Sequence, residues 1–108
     1  MQRKRKALVL PHTHWDREWR YPIWQNRMLL VRFMDELLEI LENDPDYDCF
    51  LLDGQVVPLL DYLEIRPENR DRIEAQVRAG RLLVGPWYTL PDLYPLDGEC
   101  LLRNLLRG

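Results

Sequence analysis

Cysteine is scarce in this chain: two among 108 residues, Cys49 and Cys100, each inside an apolar stretch. A secreted scaffold stapled by disulfides would use more, and a zinc ribbon would set them close together. Buried free thiols in a reducing compartment, the cytoplasm, are therefore expected. Long uncharged runs are also missing, which excludes a membrane-spanning helix, and no membrane partner is expected. Ala7–Leu10, after the basic run Arg3-Lys4-Arg5-Lys6, is too short for the apolar region of a signal peptide and stops at Pro11. Charge of one sign is lacking as well: 15 basic against 18 acidic residues give a formal net charge of -3. That leaves no global field for nucleic acid, and the basic run reads as a solvated arm. No internal repeat or low-complexity segment is present.

What remains is ordinary for one folded unit. At 46% hydrophobic and 31% charged residues, the chain is too apolar for a disordered tail and too short for two cores. Ala7–Leu10 reads as a strand buried on both faces of a parallel sheet. Pro22 opens a helix in which Leu30, Phe33, Met34, Leu37, Leu38 and Leu41 recur at helical spacing, until Asn43-Asp44-Pro45 ends it. Cys49–Leu52 is a second strand, closed by Asp53-Gly54. A short helix follows with Val57, Leu60 and Leu63 on one face. Another starts at Pro67-Glu68, passes Ile73 and Val77 and stops at Gly80. Leu82–Val84 is a third strand. A last helix from Glu99 carries Leu101, Leu102, Leu105 and Leu106. The order βαβααβα predicts an α/β fold with a partial parallel sheet. Three strands leave an open edge, so the chain reads as the opening part of a larger domain; the edge and the apolar helix faces leave homo-oligomerisation open.

In parallel α/β sheets ligands bind beyond the carboxyl ends of the strands. The segments there, 11–19, 53–55 and 85–92, hold both histidines and three of the four tryptophans. In extended backbone His12, His14 and Asp16 point to one side, and two imidazoles with a carboxylate suit Zn²⁺. The same pattern fits a strand-end histidine, a hydrogen-bonded histidine and a turn-starting aspartate. Trp15, Trp19 and Trp24 suit a sugar platform or a core equally.

The stretch Pro11-His12-Thr13-His14-Trp15-Asp16-Arg17-Glu18-Trp19 resembles the amino-terminal signature of glycoside hydrolase family 38, the retaining α-mannosidases. It is similar to the bacterial branch that includes mannosylglycerate hydrolases. The likeness continues through Leu52-Asp53-Gly54-Gln55, Gly80-Arg81-Leu82, Gly85-Pro86-Trp87-Tyr88, Pro91-Asp92 and Arg103-Asn104-Leu105. It implies that residues 1–108 are the N-terminal portion of a distorted, barrel-like β/α catalytic domain. His14 and Asp16 would then bind zinc, His12 would support the site, and Trp19 would line the sugar subsite. Asp92 is a further substrate-contact candidate, although Leu93 stands where the family often has an acidic residue. The implied function is zinc-dependent retaining hydrolysis of α-mannosides. No catalytic residue is assigned within the chain, because the family's nucleophile, acid and remaining ligands belong to motifs that have no match here. Such a half-site should bind Zn²⁺ weakly.

Two other functions compete. Amidohydrolase and PHP-type barrels also carry an H-x-H pair after the first strand, with both His12 and His14 on metal. A non-catalytic α/β module with an aromatic sugar- or protein-binding face is the third. The Trp15–Trp19 segment and the later matching segments favour the mannosidase.

Overall fold

A computed structural model describes residues 4–108; Met1–Arg3, and so the first residue of the basic run, lie outside the described residues. The longest element, α1 (Ile23–Asn43), starts where Pro22 leaves its carbonyl to the amides of Gln25 and Asn26. It ends at Asp44, which is extended as a residue before proline must be. Its apolar stripe, Leu30, Met34, Leu37, Leu38 and Leu41, is buried. Two short parallel strands follow, β1 (Phe50–Leu51) and β2 (Leu82–Leu83), with Phe50 opposite Leu82 and Leu51 opposite Leu83. Between them lie α2 (Val57–Ile65), a 3-10 turn (Pro67–Asn69) and α3 (Arg70–Arg78). Gly80 ends that passage in the left-handed region, at φ 71°. The last element, α4 (Gly98–Arg107), is capped by the Asp97 carboxylate on the Cys100 amide at 2.8 Å.

The core is one cluster: the α1 stripe against Phe50, Leu52, Leu59, Tyr62, Ile73 and Leu82. Phe33 lies at its margin, stacked on Trp15 at 5.8 Å and tilted against Phe50 at 5.7 Å. The α/β class and the parallel pairing are as the sequence predicts, and so are the positions of all four helices.

Three details differ. Ala7–Leu10 is not a buried strand: Leu8 and Val9 are 86% and 89% exposed. Pairing begins after Pro11, where a single bridge joins His12 to Leu51 and the Leu51 amide donates to the Pro11 carbonyl at 2.9 Å. Among the described residues, 7–10 take part in no strand pairing. On α2 the covered side is Val57, Pro58, Leu59, Asp61 and Tyr62, whereas Leu60 is exposed. Leu63 of the expected face does pack against the core, so only Leu60 departs from it, and Asp61 and Tyr62 are buried beside it with polar partners. Finally, Cys100 is exposed rather than buried, and Cys49 is half-buried; both are free.

Candidate functional site

The carboxyl ends of the strands are gathered by backbone bonds. Residues 11–13 flank β1, and beyond it Gln55 bridges to Trp87. The first amides of α2, from Val56 and Val57, find acceptors at 2.9 Å in the carbonyls of Trp87 and Tyr88. The loops 11–19, 53–55 and 87–90 thus meet at one edge, as the parallel architecture predicts.

His14 stands at their centre. Its Nδ1 lies 2.9 Å from Asp53 Oδ2, and its Nε2 faces Asp16 Oδ1 at 3.4 Å. Both are charge-pair contacts, and they set one carboxylate beside each ring nitrogen. A charge-assisted N–H···O bond to Asp16 would close to about 2.7–2.9 Å. Two donors about 2.0–2.1 Å from one tetrahedral ion sit about 3.3 Å apart. The Nε2–Asp16 separation has room for a divalent ion between the two donors, and Asp53 lies behind the ring, where a carboxylate can orient a metal-bound histidine. Among the described residues no group of three or more His, Cys, Asp and Glu side chains converges on one point.

Asp53 has φ 47°, a left-handed value that a residue other than glycine adopts at some cost, and Gly54 follows at 69°. The turn aims the Asp53 carboxylate back at His14. A Cβ at residue 54 would meet the Gly85 carbonyl at an ordinary 3.4 Å, so it is the left-handed backbone that calls for glycine there. Arg17 points away from the ring and forms a two-pronged pair with the buried Asp61 of α2, at 2.7 and 3.0 Å. That pairing raises the guanidinium pKa above its ordinary value.

Two hollows open beside His14 and Asp16. One, of about 210 Å³, is walled by Trp15, Trp19, Tyr21, Asn26 and Leu29. The other, of about 370 Å³, is walled by Glu18, Gln55, Thr89 and Leu90. Trp19 is exposed, with the Arg20 guanidinium 5.4 Å from its ring centre. Of the three tryptophans suited to a platform, Trp15 gives one face to Phe33, and Trp24 belongs to a separate apolar surface with Met28, Val31 and Ile65. The structure thus brings His14, Asp16 and Trp19 together. It does not bring in Asp92, which is exposed in the following loop and lines neither hollow. His12 is exposed too, its Nδ1 3.4 Å from the Thr13 carbonyl. Sequence reasoning missed Asp53, Asn26, Gln55 and Asp61. For Asp53 the signal was available, an Asp-Gly turn directly after a strand end.

Residues 4–108 match the Glycosyl hydrolases family 38 N-terminal domain. A relative from Halalkalibacterium halodurans, named "Putative mannosylglycerate hydrolase", is 44% identical over 105 residues, which are 97% of this chain and 12% of that protein. The crystal structure of an alpha-mannosidase from Enterococcus faecalis V583 superposes with a TM-score of 0.85 at 42% identity, over 90% of this chain and 11% of that one. A second Enterococcus faecalis structure, of a family 38 glycosyl hydrolase protein, gives 0.80 at 38% identity over the same shares of 90% and 11%. The chain thus spans about one eighth to one ninth of the length of these relatives.

Proposed function

The chain belongs to glycosyl hydrolase family 38, and from that premise we propose that it contributes part of the metal and sugar site of a zinc-dependent, retaining α-mannosidase. Membership also decides against the amidohydrolase and PHP reading of the H-x-H pair. The observation that carries the proposal is His14 set between two carboxylates, with Nδ1 2.9 Å from Asp53 and Nε2 3.4 Å from Asp16. His14 and Asp16 would hold the ion, and Asp53 would fix the tautomer. When bound, zinc would supply a Lewis-acid template for vicinal sugar hydroxyls. Trp19 offers an apolar ring for a sugar C–H face beside it. Retention would require two carboxyl groups about 5 Å apart; neither is assigned to this chain, whose part is to bind and orient. The two free cysteines support a reducing, cytoplasmic location. The exposed leucines of α4 are the surface through which copies would associate.

Calorimetric titration of the chain with Zn²⁺ tests the assignment. His14→Ala and Asp16→Ala should abolish uptake, Asp53→Asn should weaken it about tenfold or more, and His12→Ala should leave it unchanged. Uptake that survives His14→Ala but vanishes in His12→Ala would overturn it.

A further inference from the structure

Residues 14–20 pass between the two hollows without a sheet or helix of their own; among the described residues they make no backbone–backbone hydrogen bond. Their carbonyls are bonded nonetheless. Gln55 Nε2 donates to the Trp15 carbonyl at 3.0 Å, and the same carboxamide accepts from the Leu90 amide at 3.3 Å. Asn26 Nδ2 donates to two acceptors, the carbonyls of Asp16 at 3.0 Å and Arg17 at 2.9 Å. Three consecutive carbonyls are therefore held by two side chains from different elements. Both are buried, Gln55 at 4% and Asn26 at 8% exposed. A carboxamide offers two N–H donors on one nitrogen, which is what serves two adjacent carbonyls at once. A buried side chain of this kind replaces the missing strand neighbour and leaves the loop one conformation.

We propose that Asn26 and Gln55 are positioning residues: they pin the backbone of Trp15–Arg17 and so set the distance between the Asp16 carboxylate and His14 Nε2. The inference rests on the reading of His14 and Asp16 as metal donors. Among the described residues Asp16 has no other hydrogen-bonded anchor: its side chain faces the ring, and its neighbour Arg17 is paired with Asp61. An isosteric acid at either position removes the donors and sets carboxylate oxygens against carbonyl oxygens.

The test uses the 108-residue chain with Asn26→Asp, Gln55→Glu and, as a matched control, Asn69→Asp. Asn69 is an equally buried carboxamide that donates to Tyr62 Oη, away from the site. Zinc affinity is measured by calorimetry well below the unfolding transition. The His14 ring and Asp16 amide resonances are recorded without metal. Asn26→Asp and Gln55→Glu should each weaken zinc binding about tenfold or more and move those resonances; Asn69→Asp should lower the unfolding midpoint and do neither. Asn26→Ser, too short to reach the carbonyls and uncharged, should lose the same affinity and serves if Asn26→Asp does not fold. Wild-type affinity and resonances in the site variants would overturn the proposal, as would an equal loss in Asn69→Asp. If the wild-type chain takes up no zinc, the metal reading alone fails, and the metal-free resonances decide the positioning role.

Discussion

Helices α1 and α4 are written in the same code and meet different fates. Both alternate charged residues with a leucine-rich stripe. Yet α1 buries six of its residues, and α4 buries none, with Leu102, Leu105 and Leu106 at 52%, 43% and 78% exposed. The stripe of α1 is covered by α2, α3 and the sheet. What holds α4 is polar: Asn104 pairs with both backbone groups of Thr89, at 2.9 and 2.7 Å, as a strand would. Periodicity states which face seeks cover, and only a tertiary partner supplies it. The radius of gyration of 16.0 Å, against about 13 Å for a compact chain of this length, reflects the uncovered parts.

The comparison is sharpest in a pair of matched truncations. Leu38, fully buried in α1, should cost about 3–4 kcal/mol as Leu38→Ala. Leu105→Ala on α4 should cost less than about 0.5 kcal/mol, as exposed sites do. Denaturant unfolding reads both, and a large loss at Leu105 would mean that α4 is packed in solution.

A smaller effect separates the regions by pH. Tyr62 of α2 is fully buried and donates to Asp35 of α1 at 2.6 Å. Burial first, and the Asp35 carboxylate next, push its pKa up to about 12. The unfolded chain loses this proton near pH 10, so between pH 10 and 12 it binds fewer protons than the folded one, and stability falls as pH rises. At about 1.4 kcal/mol per unit the loss over that window is about 2–3 kcal/mol. Tyr62→Phe should remove this part of the slope; parallel curves for the two proteins would break the assignment.

Most of the fold was legible because α1, β1, α3 and β2 are simple apolar patterns punctuated by Pro, Gly and Asp. The errors share a cause. Residues 7–10 look like strand because they are apolar, but a strand is defined by neighbours. On α2 Asp61 and Tyr62 are buried with partners, Arg17 and Asp35, that lie 44 and 27 residues away in sequence. At the site, His14, Asp16 and Trp19 could be read from one continuous segment. Asp53, Asn26 and Gln55 reach it from other elements, and their roles depend on distances that no local spacing encodes.

The smallest expected effect bears on whether α4 belongs to the cooperative unit. A ten-residue helix is marginal by itself in water, and with no buried residue α4 leans on its ends. Asp97 accepts from the Cys100 amide at the first turn, while the Asn104–Thr89 pairing anchors the middle. Asp97→Ala removes one support and leaves the other. The amides of residues 99–103 should then exchange faster with solvent while the denaturation midpoint of the core stays within error. Cys100 gives a second readout. The Asp97 side chain, by hydrogen bond and charge, holds the exposed thiol above its ordinary pKa. Its removal should raise the thiolate fraction and speed alkylation of Cys100 at pH 8, with Cys49 as the internal reference. A shifted midpoint with unchanged exchange in 99–103 would show the reverse: that α4, for all its exposed leucines, unfolds together with α1.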